Sequence, residues 1–452
     1  MTDSCTHLAR FGMPTESRFL TEFRDSYDWL VFNANSLAHM PGAIARLVSD
    51  RSVKPYIVDP QTHAFQHDPI HVMNHNDDGT WSLKRSIARL ADAYGPLIQS
   101  KAGKHAVVPS DLSPDVIENL ARGVVEFQLH TVRNQEVCEE NRDYLEWMKL
   151  DVTKPRAVIA PYFYMDARTY GLWLDPNMRL AAAARAAVRE LEGTDLYLEL
   201  VIDRDILLDE GVLREIASVY SEADCDGILL WVDALSEQKA PGGVLTGLLT
   251  LLREFRSNDL PVMNLYGGYF SILLSCASFG SLLSGVCHGM EYGEDRSVVP
   301  VGGGIPMAKF YLPSLHQRLR FGDVARLLFN RGWLRDGETF HREVCSCQAC
   351  RDTLRGDASR FSLFGEGKPV TFMRGGSTVT LNYPLTETKE RCLRHYLWRK
   401  EDEYQSAASK SRDDLLDELE TTATEFESDL GVEGVSHLRT WVRVLREVDP
   451  AR

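Results

Sequence analysis

Short, uniformly apolar segments alternate with stretches of helical periodicity along most of this chain. Hydrophobic residues recur at helical spacing in, for example, Met178–Leu191 and Leu213–Ala223. Segments that are apolar throughout are typical of strands covered on both faces. The predicted strands lie near Trp29 and Asp59, at Arg156–Tyr162, Leu196–Ile202, Gly227–Val232, Pro261–Tyr266 and Ser281–Cys287, and between Ser297 and Leu312. About eight βα units of this kind predict an α/β fold, a (β/α)8 barrel.

A doubly wound open sheet is the alternative for the same alternation, but no glycine-rich dinucleotide turn follows any early predicted strand. The alternation stops after Phe340. We therefore predict three parts: a barrel over residues 1–340, a zinc-binding module over 341–406 and C-terminal helices over 407–452.

Three cysteines cluster directly after the predicted barrel. Cys345, Cys347 and Cys350 form a C-x-C-x2-C motif in a polar segment, which makes them poor candidates for an apolar core. Zinc takes four tetrahedral ligands from thiolates and imidazoles, and a closed set of four is typical of a structural site. A later helix offers Cys392 and His395 on one face. The motif thus predicts a structural Zn2+ whose fourth ligand is His395 or Cys392.

The composition, 44% hydrophobic and 25% charged, is that of a globular protein. The net charge of −15 argues against a general nucleic-acid binder, but the charge is unevenly distributed. Residues 401–434 hold twelve acids against two basic residues, whereas residues 309–360 hold ten Lys and Arg against six acids. A modestly basic region therefore surrounds the cysteine cluster, although solvated helix faces explain the same pattern.

Targeting signals are not evident in the sequence. The first residues lack a basic start and an apolar segment, so we expect no signal peptide. Nine cysteines, an odd number with one cluster at metal spacing, favour a reducing cytoplasm. Residues 260–290 carry no Asp, Glu, Lys or Arg, but their glycines and Pro261 favour a buried strand–helix–strand unit over a membrane span.

The reacting groups of a (β/α)8 barrel lie at the C-terminal ends of its strands. The densest polar set follows the strand that ends at Cys287, and there we predict His288, Glu291 and Glu294 as proton-transfer groups. Asp59, which ends an early strand, is the other catalytic candidate. Hydrogen-bonded polar loops and capped turns are the structural alternatives. A Cys287–His288 nucleophilic pair is disfavoured, because adjacent strand residues face opposite sides.

Other polar residues near strand ends are candidates for substrate binding. Lys309 follows a glycine-rich stretch at residues 302–304, whose backbone N–H groups could bind an anion. Four histidines at a spacing of four could form a second metal site, but Pro69 opposes one regular helix. The strand-end candidates for substrate binding are Asp166, Asp233, Asn264, Gly267 and Gly268, and the histidines are His63, His67, His71 and His75. Tyr162, Glu199 and Asp203 also lie at strand ends, without an assigned role.

A barrel followed by C-x-C-x2-C and a later helical histidine resembles the tRNA-guanine transglycosylase family, which makes queuosine- and archaeosine-modified tRNA. The resemblance assigns the zinc ligands to Cys345, Cys347, Cys350 and His395. The segment from Arg391 to His395 is similar to the family's ligand helix. Its longer distance from Cys350 implies an inserted loop or hairpin.

Residues 59–66 stand where the family has an Asp-Ser-Gly-Gly-Phe-Gln turn, which implies base recognition by Asp59 and substrate contact by Gln66. The family's glycine-rich segment is absent near residues 229–233, and its nucleophilic aspartate has no counterpart at residues 284–288. Because base exchange through a ribosyl-enzyme intermediate needs a carboxylate, Glu291 or Glu294 would take that role.

The resemblance implies a transglycosylase that exchanges a guanine or 7-deazaguanine base in tRNA or DNA, with nucleic acid as its partner. The alternative is a catalytically inactive relative that acts as a nucleic-acid-binding or partner subunit, and a homodimer is compatible with both. A barrel hydrolase of small molecules is a third possibility.

Overall fold

The computed structural model describes residues 5–12, 16–76, 78–149, 151, 153–191, 194–289, 294–299, 307–374 and 377–448, with only the backbone at Phe372 and Arg374. The chain forms two compact units. The first comprises Met1–Pro300 with Val448–Arg452, and the second comprises Val301–Glu447. This division comes earlier in the chain than the predicted start of the zinc-binding module at residue 341.

The first unit is built on eight strands that pair in parallel within one sheet. Their side chains alternate between the barrel interior and the surrounding helices. The strands are β1 (Thr6–Phe11), β2 (Trp29–Asn33), β3 (Tyr56–Asp59), β4 (Ala157–Ile159), β5 (Asp195–Asp203), β6 (Gly227–Asp233), β7 (Val262–Asn264) and β8 (Gly285–Gly289).

The strand order is β3-β2-β1-β8-β7-β6-β5-β4, so the first strand pairs with the last. The sheet's two edge strands, β3 and β4, approach each other, because the Arg156 N–H donates to the Tyr56 carbonyl at 2.7 Å. The sheet is therefore nearly closed into a barrel, as the sequence predicts.

Two of the predicted strand assignments need correction. The prediction missed β1, and it placed another strand of the alternation between Ser297 and Leu312. The strand found there, Lys309–Leu312, instead pairs antiparallel with Gln317–Arg320 in the second unit.

Helices connect most of the strands. α10 begins at Glu210 because the Asp209 carboxylate accepts from the N–H groups of Gly211 and Val212. The helices of this unit are α1 (Ser17–Glu22), α2 (Ala34–His39), α3 (Pro41–Arg46), α4 (Arg85–Tyr94), α5 (Pro96–Lys101), α6 (Pro114–His130), α7 (Glu136–Glu140), α8 (Arg142–Trp147), α9 (Tyr170–Leu191), α10 (Glu210–Ser221), α11 (Gly242–Ser257) and α12 (Tyr269–Ser275), and a short hairpin joins Met73–His75 to Trp81–Leu83.

Side-chain amides and a hydroxyl form hydrogen bonds with the backbone at the end of the short strand β4 and beyond it. Gln128 of α6 both donates to the Ile159 carbonyl and accepts from its N–H, at 2.8 and 2.9 Å. Thr62 does the same for Tyr162, and Gln66 for Tyr164. Buried backbone groups need such partners, so polar side chains replace a strand ladder at this seam.

The second unit contains two hairpins and five helices in its described residues. The hairpins are β9 (Lys309–Leu312) with β10 (Gln317–Arg320) and β11 (Gly367–Arg374) with β12 (Ser377–Pro384). The helices are α13 (Phe321–Asn330), α14 (Gly337–Glu343), α15 (Gln348–Leu354), α16 (Thr386–Ser409) and α17 (Arg412–Arg446), the last interrupted at Gly431. The hairpin between Cys350 and His395 accounts for their wide spacing.

No helix in the described part of the chain is long and apolar enough to cross a membrane. The apolar stretch at residues 260–290 instead contributes β7, α12 and β8 to the first unit.

Candidate active site and metal centre

Polar side chains gather inside the barrel at the C-terminal ends of its first three strands. Asp59, the last residue of β3, is fully buried. Its Oδ1 accepts from the Tyr162 hydroxyl at 2.7 Å and from the Gln61 N–H at 3.0 Å. Its Oδ2 accepts from Arg10 Nη1 at 3.1 Å. Three donors thus fix the position of the Asp59 carboxyl group.

Arg10 of β1 is the buried counter-ion of this cluster. Its Nη1 also donates to Asn33 Oδ1 at 2.6 Å, and its guanidinium lies 4.5 Å from the centre of the Tyr266 ring. Its Nε and Nη2 are buried and have no hydrogen-bond partner among the described residues. Two nitrogen donors of the planar guanidinium group therefore still need an acceptor.

Glu199 is a second carboxyl group in the same interior. It lies between Tyr197 and Val201 of β5, which both belong to the barrel core, so it faces inward as well. Burial, and then the charge of Asp59, raise the pKa of Glu199 well above its ordinary value. Neither carboxyl oxygen has a hydrogen-bond partner in the part of the chain that the structure describes. Glu199 is thus expected to be protonated.

His63 and Tyr162 extend the cluster toward the loop after β3. Nδ1 of His63 is 3.0 Å from the Tyr162 hydroxyl, and the two rings stack. Burial lowers the pKa of His63 to about 3, so its imidazole is neutral. His63, Tyr162 and Asp59 therefore form a hydrogen-bonded chain that can reorganise without creating a new charge.

The predicted histidine series is only partly assembled in space. The rings of His63 and His67 lie 6.1 Å apart, and Nε2 of His67 is buried without a partner in the described structure. His75, by contrast, contacts Trp81 of the short hairpin. Among described residues, the four histidines form no metal-binding group.

Asp233, at the end of β6, also lies near this edge of the barrel. It accepts from the Val298 N–H at 2.7 Å and from the Tyr164 hydroxyl at 3.3 Å, and burial raises its pKa. Asp203 stands beside it in the register of β5 and β6. This predicted binding residue is thus placed with acidic and phenolic neighbours.

His288 lies on the other face of β8 from Cys287, which belongs to the barrel core. Its Nδ1 is 2.7 Å from the Gly267 carbonyl, and its ring contacts that of His7. The structure therefore does not bring His288 into the interior cluster with Asp59. Glu291, the other residue expected to act with it, lies outside the described residues.

Glu294 belongs to a separate group of polar residues around Gly268. A side chain at Gly268 would come within 2.8 Å of carboxylate oxygens of both Glu237 and Glu294, so both carboxylates would have to shift to accommodate it. The Ser271 hydroxyl donates to Glu237, and burial raises the pKa of Glu237 to about 7. Asn264 donates to the same Ser271 hydroxyl at 2.9 Å. Three predicted site residues thus meet here rather than beside Asp59.

The remaining predicted substrate residues have evident structural contacts. Gln66 bonds both backbone groups of Tyr164 at the seam. Asp166 accepts from the N–H groups of Arg168 and Thr169 in the turn before α9. Gly267 is tightly packed, because a side chain there would come within 2.6 Å of Val286. Lys309 lies on the β9 hairpin of the second unit, and residues 302–304 are outside the described residues.

The predicted metal ligands come together in the second unit. Cys345, Cys347, Cys350 and His395 are all buried, and their ligand atoms lie within 4.8 Å of one another. Nδ1 of His395 is 3.7, 3.4 and 3.3 Å from the three sulfur atoms in that order. Tetrahedral coordination with metal–sulfur bonds of about 2.3 Å and metal–nitrogen bonds of about 2.0 Å requires nitrogen–sulfur separations of about 3.5 Å. The group therefore fits one tetrahedral metal ion.

Local structure presents each ligand of this Cys3His group. Cys347 precedes the first residue of α15 and Cys350 lies in its first turn, while His395 projects from α16. Nε2 of His395 lies 2.6 Å from the Tyr311 carbonyl, which assigns the proton to Nε2 and leaves Nδ1 for a metal. The ring also stacks on Phe310, 4.1 Å between centres.

Cys392, the other possible fourth ligand, is outside this group. Its sulfur lies 3.5 Å from the Phe364 carbonyl, and burial raises its pKa to about 12. The structure thus favours His395 as the fourth ligand.

Sequence reasoning proposed Asp59 and the Cys3His group, missed Arg10 and assigned no role to Glu199. Arg10 lies in the strand that the apolar pattern did not reveal. Glu199 interrupts an otherwise apolar strand, which is a usable signal for a functional carboxyl group.

Comparison with known proteins gives no match, either to a protein-family model or to a curated protein. A function therefore has to be inferred from the barrel cluster and the Cys3His group.

Proposed function

We propose that this protein exchanges a guanine or 7-deazaguanine base in tRNA or DNA, in the manner of tRNA-guanine transglycosylases. The observation that carries the proposal is the buried carboxyl pair, Asp59 and Glu199, beside Arg10 inside a parallel barrel. Base exchange needs one carboxylate for the ribosyl carbon and one group that moves a proton to and from the base.

The two carboxyl groups suit these different roles. Asp59 is paired with Arg10 and accepts from Tyr162, and its Oδ2 accepts from only one described donor. This oxygen would attack C1′ of the nucleotide as the bond from C1′ to the base nitrogen breaks. The bonding electrons leave with the base, which takes the proton of Glu199. The incoming base then returns a proton to Glu199, bonds to C1′ and releases Asp59.

Arg10 supports a guanine-like substrate. Its unpartnered Nε and Nη2 form a donor fork. Such a fork pairs with the adjacent O6 and N7 acceptors of guanine. Because the cluster is buried, the target nucleotide would have to leave its stack to reach it.

We infer that the Cys3His group binds zinc in a structural role. Three thiolates and one imidazole are a closed set that leaves no open position for a substrate, and soft sulfur ligands favour zinc. The ion would tie the turn before α15 to α16.

The test is incorporation of labelled guanine and 7-deazaguanine into tRNA and duplex DNA by the purified full-length protein. Glu199→Gln retains the shape of the side chain but cannot donate an acidic proton. We expect its rate to fall by roughly 10²-fold or more, as loss of general acid catalysis does. Glu222→Gln, an exposed change, serves as the control and should match the wild type.

A catalytically inactive nucleic-acid-binding or partner subunit is the second candidate. The complete burial of Asp59 and its three intramolecular donors favour it. Folded, metal-loaded wild-type protein that incorporates neither base into either polymer would reject base exchange and leave this candidate.

A further inference from the structure

A cavity with a predominantly basic lining lies in the first unit, in the segment that leads into β4. Its volume is about 550 Å³, within the range of small-molecule sites. Its charged lining residues are Arg133, Arg142, Lys149, Lys154, Glu146 and Asp151. Four cations against two acids leave a local positive excess, although the chain carries a net charge of −15.

The cavity is distinct from the cluster inside the barrel. Thr153, which also lines it, accepts through its carbonyl from the Tyr56 hydroxyl at 3.0 Å. Tyr56 is the first residue of β3, and residue 153 precedes β4. The cavity thus lies at the N-terminal ends of these strands, whereas Asp59 lies at the C-terminal end of β3.

Two of the cations flank the short helix α8. Arg142 is its first residue, and Lys149 lies two residues beyond its last residue, Trp147. Both cations are exposed, and neither forms an ion pair with another described residue. Their charges are therefore available to a ligand.

The acids in the lining form no ion pair with these two cations. Asp151 accepts from the Thr153 hydroxyl at 3.1 Å. Glu146 lies between Arg142 and Lys149 in the sequence, but forms no ion pair with either. The lining as a whole holds more basic than acidic residues, so a small anion would meet a net positive charge.

We propose that this cavity binds a phosphate group of a nucleotide. An arginine can hold phosphate oxygens in a bidentate manner, and a lysine adds a compact charge. The phosphate can belong to a free nucleotide or to a nucleic-acid backbone. This proposal does not depend on base exchange in the barrel, because it concerns binding at the opposite strand ends.

Binding to full-length protein is measured with GMP, by calorimetry, and with fluorescein-labelled single-stranded and duplex DNA, by anisotropy over a series of salt concentrations. The double variant Arg142→Ala/Lys149→Ala removes both cations. If a nucleic-acid backbone binds in the cavity, the double variant should bind DNA at least about tenfold more weakly than the wild type. The slope of the logarithm of affinity against the logarithm of salt concentration should fall in magnitude by about two, one for each lost phosphate contact. If the cavity takes a free nucleotide instead, the double variant should bind GMP more weakly than the wild type, and neither protein should bind DNA.

Lys104→Ala/Arg256→Ala removes the same two charge types from exposed positions elsewhere and should bind as the wild type does. Lys149→Arg should retain binding, because it keeps the charge. Equal affinity of the wild type and the Arg142/Lys149 variant for every probe overturns the proposal, as does wild-type protein that binds none of them.

Discussion

At the scale of single residues, Arg10 is the side chain on which the barrel cluster depends. It is fully buried and pairs directly with Asp59, and Glu199 lies close enough for its pKa to respond to both. A buried charge without a partner is costly, so the contact between Arg10 and Asp59 stabilises both groups in a largely aromatic and aliphatic interior.

Replacing Arg10 by methionine should therefore destabilise the first unit by about 3–5 kcal/mol, the usual cost of leaving one member of a buried pair unpaired. Urea unfolding monitored by circular dichroism gives the free energy of unfolding. Arg24→Met breaks an exposed contact with Asp25 and should change that free energy little. A loss of stability at Arg10 no larger than at Arg24 would show that the pair is unimportant.

Chemistry that is local in sequence could be predicted at this scale, and chemistry that is distant could not. Cys345, Cys347 and Cys350 carry their function in their spacing. Arg10 and Asp59 are 49 residues apart, and only the strand order places them together. His288 was predicted from its neighbours, but strand alternation turns it to the other face of β8.

At the scale of secondary-structure elements, the seam between β3 and β4 depends on side chains. Gln128 holds both backbone groups of Ile159, so Gln128→Ala would leave a buried donor and a buried acceptor unpaired. We expect destabilisation of about 2–4 kcal/mol, measured by urea unfolding. Gln99→Ala, which removes an exposed 3.4 Å contact to Asp92, is the control. Equal stability of the two variants would contradict a bracing role.

A buried network joins β9 to α16 in the second unit. Glu403 accepts from Lys400 Nζ at 2.8 Å and from the Tyr311 hydroxyl at 2.6 Å, and His316 lies 2.7 Å away. Burial alone would raise the pKa of Glu403, but Lys400 and His316 lower it from 4.5 to about 2. The carboxylate thus stabilises the fold at pH values above the pKa that the same carboxyl group has in the unfolded chain.

Since the folded pKa is the lower one, this contribution is complete above pH 4.5 and disappears as the pH falls to about 2. Glu403→Gln should lower stability by about 3–5 kcal/mol at neutral pH, and the difference from wild type should shrink across that range. Unfolding free energies measured at several pH values test this, with exposed Glu387→Gln on the same helix as the control. A difference that does not change with pH would argue against an ionised Glu403.

The apolar pattern found most barrel strands but not β1. Three of its residues, Thr6, His7 and Arg10, are polar, so no uniform apolar run appears. One face of the strand packs under helices, and the other face carries the buried cation Arg10. The same criterion misplaced Lys309–Leu312, whose Phe, Tyr and Leu serve a hairpin instead. Hydrophobicity predicts burial, but it does not identify the strand's partner.

At the scale of the whole molecule, the metal group belongs to one of two compact units. Metal analysis should give about one zinc per chain. Because metal binding and folding are coupled, a chelator or Cys347→Ser should lower the thermal stability of the second unit and leave the barrel transition in place. Cys392→Ser, a change on the ligand helix itself, should keep the metal. A Cys347→Ser protein with full metal content and an unchanged melting curve would refute the assignment.

The pairing of β1 with β8 has a consequence for biosynthesis. Thr6 lies opposite Gly285, so one edge of β1 stays unpaired until the last strand of the barrel has been synthesised. At elongation rates of about 5–20 residues per second, the wait is roughly 14–56 s. During that time the nascent barrel has an exposed strand edge, and Arg10 remains in water until the barrel closes.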